Sequence, residues 1–248
     1  MISLGGGISP TITNMHNQGS LLFNGTDEYV NIDNVASTLT YETLSVSLWV
    51  QIATVSSSGN IFKVMVGTDT DNQIIILYHA SANELRATTK LGGVADVLNQ
   101  GSNSIENDGL WHHVVLLVSK TSGNWTKLYV DNSEKESITG VGTLSGTLSK
   151  ASIANNTADG GYFKGSIDEV AIWNRVITTD EIAAIYNAGS SAGGGEGIDI
   201  VGQMGTDLKA YYRFEEKSGT VALNSCHPDL RLGNGTLINT PTYQSIHP

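Results

Sequence analysis

From Leu44 to Val50 the chain reads Leu-Ser-Val-Ser-Leu-Trp-Val. That strict alternation puts Leu44, Val46, Leu48 and Val50 on one face of an extended strand and Trp49 on the other. Strand-length apolar runs recur at residues 60–66, 73–79, 84–89, 112–119, 126–130, 151–154 and 165–173. Earlier, Ser20-Leu21-Leu22-Phe23 stops at the turn pair Asn24-Gly25, and Glu28-Tyr29-Val30-Asn31-Ile32 alternates as a half-buried strand does. Many short strands separated by turn residues favour a two-sheet sandwich over an open sheet. The composition agrees: 28 glycines and 15% charged residues suit tight polar turns, and 40% apolar residues suffice for a core.

One segment has helical logic. Thr178 and Glu181 have capping-box spacing, Ile182, Ile185 and Tyr186 share a helical face, and Gly189 stands where a helix end favours a left-handed residue. A short surface helix near residues 179–187 is expected. Residues 1–19 read as an arm or edge strand, 20–189 as the sandwich body and 190–206 as a glycine-rich linker. Residues 207–248 include the aromatic strand Leu208-Lys209-Ala210-Tyr211-Tyr212-Arg213-Phe214 and are too few to fold alone. They are expected to complete the same sandwich or a neighbour's, and a homo-oligomer is expected.

The net charge of -11, with 13 scattered basic residues, argues against nucleic-acid binding. Cys226 is the sole cysteine, so no intrachain disulfide or Cys-x-x-Cys site exists. The first residues lack a basic and an apolar export region, and Ile74-Ile75-Ile76-Leu77-Tyr78 is too short to span a bilayer. Neither a signal peptide nor membrane insertion is expected.

Five segments in register carry a resemblance. They are Leu22-Phe23-Asn24-Gly25-Thr26-Asp27-Glu28-Tyr29-Val30, Val46-Ser47-Leu48-Trp49-Val50, residues 107–114 around Trp111-His112-His113, Lys127-Leu128-Tyr129-Val130-Asp131, and residues 163–174 with the helix that follows. Together they resemble the laminin-G-like jelly roll of the concanavalin A-like lectin/glucanase superfamily. The resemblance implies an all-β, two-sheet antiparallel jelly roll with one short surface helix. A segment similar to Tyr212-Arg213-Phe214-Glu215-Glu216-Lys217-Ser218-Gly219-Thr220 and Gly235-Thr236-Leu237 comes first in many members but last here. That order is similar to the permuted arrangement of phage virion proteins, tail and fibre components above all.

β-Glucan-cleaving members carry an E-x-D-x-x-E run that sets two carboxylates about 5–5.5 Å apart. No such run occurs, Glu134-Lys135-Glu136 reads as a turn, and the adjacent pairs Asp168-Glu169 and Glu215-Glu216 face opposite ways. His112 and His113 point to opposite faces and cannot share one metal through strand geometry. No catalytic residues are assigned. The resemblance implies calcium, for which Asn24, Asp27 and Asp168 are the matching oxygen donors; a plain hairpin turn and a strand-end acceptor are the alternative roles for these residues. Trp125, Tyr78 and Tyr162 are the aromatic candidates for stacking a sugar.

The function expected is a non-enzymatic structural or binding module of a phage virion (tail, fibre or capsid exterior). It would attach to host glycans or decorate the particle, with a glycan or cell-surface ligand and other virion proteins as partners. A secreted carbohydrate-binding lectin is the alternative, and a glycoside hydrolase stands third.

Overall fold

A computed structural model describes residues 18–52, 57–101, 108–155, 161–189, 198–226 and 233–248. It has the expected architecture: two antiparallel sheets face to face, with short helices. The first sheet runs β10 (Ser133–Thr139), β9 (Trp125–Val130), β8 (Trp111–Ser119), β3 (Thr43–Ile52), β12 (Lys164–Trp173), β1 (Ser20–Asn24), β16 (Thr242–Gln244), with β13 (Leu208–Tyr212) also on β12. The second runs β14 (Val221–Ala222), β15 (Gly235–Ile238), β2 (Tyr29–Asn31), β11 (Lys150–Ile153), β4 (Gly59–Val66), β5 (Asp69–His79), β6 (Glu84–Leu91), β7 (Val94–Asn99).

The alternation at 44–50 has its expected outcome. Leu44, Val46, Leu48 and Val50 lie in the core between the sheets with Phe62, Val64, Ile74 and Ile76 from the opposing layer. Trp49 is on the outer face, where its ring stacks on Tyr186 with centroids 5.9 Å apart. That outer face is buried as well. Helix α2 (Thr179–Gly189) and helix α3 (Ile200–Met204) cover it, packing Ile182, Ile185, Ile200 and Met204 against Val115, Leu117 and Trp173.

Helix α2 begins in the reciprocal box read from the sequence. The Glu181 N–H donates to Thr178 Oγ1 (3.2 Å) and the Thr178 N–H to Glu181 Oε2 (2.7 Å). Gly189 ends the helix for a reason other than the one expected. It has no left-handed φ, but a Cβ there would meet Trp49 Cζ2 at 2.5 Å, so close approach to the indole requires glycine.

Residues 200–204, expected to be linker, form α3, with Ile200 and Met204 buried. Helix α1 (Asp33–Ala36) was not foreseen, and its Val35 and Ala36 enter the main core. Glu134 and Glu136 lie in strand β10, not in a turn; the turn is Asp131-Asn132, both at positive φ, as a two-residue hairpin demands. The segment 190–197 and residues 1–17 of the expected arm lie outside the described residues.

Strands beyond residue 207 pair within this chain. β13 takes the far half of β12 (Val170 opposite Tyr212), β1 takes the near half (Leu21 opposite Ile167), β16 extends β1, and β15 flanks β2. Where β12 changes partner it bulges, with Glu169 at φ +50°. Glu169 there accepts a hydrogen bond from the Tyr211 hydroxyl and pairs with Arg213 at 3.4 Å, which ties the C-terminal segment to the bulge. Burial pushes the Glu169 carboxyl up, and the Arg213 charge holds it down.

Candidate binding site

Helices α2 and α3 occupy the outer face of the first sheet, whereas the middle of the second sheet presents its outer side chains to a cavity. Register dictates which side chains these are. Val30, Ala151, Ile153, Phe62 and Val64 point into the core, so their strand neighbours point out. Asn31, Ser152 and Lys63 stand abreast on β2, β11 and β4, and Lys150 stands beside Met65. Together with Tyr29, Asp33, Thr68 and Asn155 they line a cavity of about 200 Å³.

The polar groups of this cavity divide into committed and open ones. Asp33 is committed: its Oδ2 accepts from Lys150 Nζ (2.7 Å) and Asn31 Nδ2 (3.2 Å), and its Oδ1 accepts from the Ala151 N–H (2.9 Å). That contact raises the Lys150 ammonium above its ordinary pKa. Asn155 is different. It is 2% exposed, and its Oδ1 has no hydrogen-bond partner. A buried acceptor left unmade costs about 1–3 kcal/mol, which a ligand donor would recover. An aromatic edge completes the site: the Tyr29 and Tyr162 rings are 6.3 Å apart and tilted by 43°. Burial and the neighbouring Tyr162 raise the Tyr29 hydroxyl above its usual pKa, so it stays a neutral donor.

A larger cavity of about 400 Å³ opens beside α2, lined by Trp49, Trp111, His112, Asp131, Tyr186 and His247 among others. Its charged groups engage one another. His112 Nδ1 lies 2.8 Å from Asp131 Oδ2, and its Nε2 is 3.3 Å from Asp108 Oδ2. The neighbouring His113 is wholly buried, with Nε2 2.8 Å from Ser47 Oγ. Ser47 and His113 do not form a nucleophilic triad, because His113 Nδ1 has no partner and the Asp131 carboxylate is engaged by His112 and the His113 backbone.

The residues proposed from the sequence are dispersed. Asn24 and Asp27 share one exposed turn: Asn24 Nδ2 donates to Asp27 Oδ1 (2.9 Å), while Asn24 Oδ1 accepts the N–H groups of Thr26 and Asp27. Asp168 is 0% exposed and accepts the Glu169 N–H at 2.8 Å. Asn24 pairs opposite Lys164, four residues before Asp168, which separates them by about 13 Å along the strand. These donors are spent locally and too far apart to share one calcium ion, which needs six to eight oxygens at about 2.3–2.6 Å. Among the described residues no group of three or more His, Cys, Asp or Glu side chains could hold a metal.

Of the three aromatics, Tyr78 is a core residue. It is 1% exposed, and its hydroxyl donates to Asn83 Oδ1 (2.7 Å), because position 78 shares the inward parity of Ile74 and Ile76. Trp125 lies on the other sheet with Lys127 Nζ 5.3 Å over its ring. Tyr162 alone borders the cavity, through Tyr29. The residues missed were Tyr29, Lys63, Lys150 and Asn155. Tyr29 and Asn31 had a usable signal, since the alternation at 28–32 already turns them away from the core; Asn155 had none.

The two facing antiparallel sheets and their connections define a concanavalin A-like jelly roll. The chain belongs to the Laminin_G_3 family of the concanavalin A-like lectin/glucanases superfamily, whose profile matches residues 24–183. A curated relative, the rat (Rattus norvegicus) sushi, von Willebrand factor type A, EGF and pentraxin domain-containing protein 1, is 22% identical over 172 residues. That match takes in 64% of this chain and 4% of the relative's length. Among solved structures, a candidate carbohydrate binding protein from Bacteroides ovatus superposes with a TM-score of 0.62 at 14% identity, over 94% of this chain and 61% of that one. The CBM40 of a Ruminococcus gnavus IT-sialidase gives 0.56 at 13% identity, over 70% and 98%. At these identities the likeness is one of fold. No described helix is long and apolar enough to cross a membrane.

Proposed function

We propose that this protein is a non-enzymatic glycan-binding module and that its site is the cavity on the outer face of the second sheet. The observation that carries the reading is the buried, unpartnered Asn155 Oδ1 in a cavity edged by a tyrosine pair. A sugar offers what such a site lacks: hydroxyl donors for a lone acceptor, and a C–H face for an aromatic ring. The names of the Bacteroides and Ruminococcus structures support the same reading by analogy of fold.

Binding to a glycan array followed by calorimetry tests this. Asn155→Ala should weaken binding about tenfold, as loss of one buried hydrogen bond does, with the melting temperature kept. No reducing sugar should be released from any bound glycan. Binding unchanged in Asn155→Ala and Tyr29→Ala would move the site elsewhere; turnover abolished by a single carboxylate change would make the protein an enzyme.

Its place in a virion, attaching to host glycans or decorating the particle beside other virion proteins, is the finer part of the proposal. Supply of β13, β15 and β16 from the C-terminal side supports it, since that order is similar to the permuted virion arrangement. Microscopy of particles from the source would find this chain on them, or would leave the secreted-lectin alternative.

A further inference from the structure

We propose that the cavity beside α2 is a second sugar site, so that the module holds two glycan chains, one on each outer face; this rests on the glycan reading above. The first sheet and α2 build it. Trp49 comes from β3, Trp111 from β8 and Tyr186 from α2, and with Leu110 they line a space of about 400 Å³. Trp111 and Tyr186 are half-buried and Leu110 is 61% exposed, so the apolar lining reaches the mouth. Apolar surface left at the mouth of a cavity marks a place of contact with something else.

Six of the described lining side chains carry polar atoms, and they fall into two groups. Three are engaged. His112 bridges Asp131 (2.8 Å) and Asp108 (3.3 Å), Asp131 also accepts the His113 N–H (3.0 Å), and His247 Nδ1 lies 3.1 Å from the Pro248 carbonyl oxygen. The other three are neutral and open: the indole N–H groups of Trp49 and Trp111 and the Tyr186 hydroxyl form no hydrogen bond among the described residues. Trp49 is the least accessible of them, at 3% exposed. A Cβ at Gly189 would sit 2.9 Å from its Nε1, so the glycine that lets α2 approach also leaves this donor uncovered.

These groups select among ligand classes. A hydrocarbon would leave the three donors unmatched, an anion would meet Asp131 and Asp108, and a cation would have to take those carboxylates from His112. A neutral sugar ring packs its C–H face on Trp111 and offers hydroxyl oxygens to the indole and phenol donors. The two cavities lie on the outer faces of opposite sheets, whose backbones stack about 10 Å apart, so one short glycan cannot enter both. A chain with such a pair of sites bridges two glycans and gains by avidity on a surface that displays many.

The test is titration of the full chain with cellotetraose, xylotetraose, mannotetraose, galactotetraose and maltotetraose, followed by calorimetry and by tryptophan emission. The described lining of the first cavity holds no tryptophan, whereas Trp49 and Trp111 line the second, so the emission separates the two sites. One of these sugars should fill two sites per chain and shift the emission. Asn155→Ala should weaken one event and keep the shift. Trp111→Ala should weaken the other at least about tenfold, and Trp111→Tyr, which retains a ring, should largely restore it. Leu110→Glu, a change at an exposed position, should block the same event and abolish the shift with wild-type melting, whether or not Trp111→Ala folds. The polymer of the bound sugar should be precipitated by the wild type and by neither Asn155→Ala nor Leu110→Glu. One site per chain, lost in Asn155→Ala with the emission unmoved, would overturn the second site and leave the glycan reading intact. One site per chain, lost only in Trp111→Ala and Leu110→Glu, would overturn the pair and the placement of the first site. Failure of every sugar to bind would remove both readings.

Discussion

His112 and His113 are chain neighbours with opposite fates, because a strand sends one to a charged rim and the other under a helix. Burial takes the His113 pKa down to about 3, and the nearby Asp131 recovers little of it. His113 is therefore neutral in the fold, while the unfolded chain takes up its proton as pH falls below the ordinary 6.5. Stability is lost across the window from pH 6.5 down toward 3, by about 2 kcal/mol at pH 5. For His112, burial pulls the pKa down, but Asp131 and Asp108 outweigh it and the net shift is upward. Its contribution is complete below pH 6.5 and fades as pH rises through the folded pKa. His113→Gln should flatten the fall in melting temperature between pH 7 and pH 5, whatever it costs at neutral pH. An unchanged slope would show that another group controls the acid limb.

Among the elements, α2 is the one whose ends can be argued bond by bond. Its Thr178–Glu181 box is reinforced by Arg175, which holds both Glu181 oxygens at 2.6 and 2.8 Å. These contacts hold the Glu181 carboxyl below its usual pKa, with Arg175 the largest cause. Thr178→Ala should cost about 1 kcal/mol of stability. Gly189→Ala, at the other end, should cost about 1–3 kcal/mol by driving a methyl into Trp49, although it improves helix propensity. Chemical denaturation of both variants checks the pair; a stabilised Gly189→Ala protein would refute the close-packing account. The box and the amphipathic face were legible in the sequence because they are local. The edge strands β7 and β10 were not: their mostly exposed residues carry little hydrophobic signal, and they are strands only because β6 and β9 offer free edges.

For the molecule as a whole, the C-terminal segment decides whether the sandwich is closed. β13, β15 and β16 cover the open sides of β12, β2 and β1, and Tyr211, Tyr212 and Phe214 are buried in the process. Deleting residues 207–248 would strip Glu169 of Tyr211 and Arg213 and uncover the core side chains against which Tyr212 and Phe214 pack. It would also bare three strand edges. The truncated chain should aggregate or fail to fold, as size-exclusion chromatography and near-ultraviolet dichroism would report. A monomer that melts like the full chain would make residues 207–248 a separate appendage.

The strand alternation at 44–50, the turn pair Asn24-Gly25 and the capping box belong to the chain itself, since side-chain period and turn chemistry act over a few residues. From them the two-sheet class and α2 followed directly. Which outward face stays open depended on where α2 and α3 dock, and docking is a contact between segments far apart in the chain. The same holds for the cavity: Asn31, Lys63 and Ser152 come from three strands and meet only through register, while Asp168 is carried into a fully buried position on β12. Tyr78 was misjudged for the same physical reason, because a run of apolar residues does not say which of its two faces will meet water until the opposing sheet is in place.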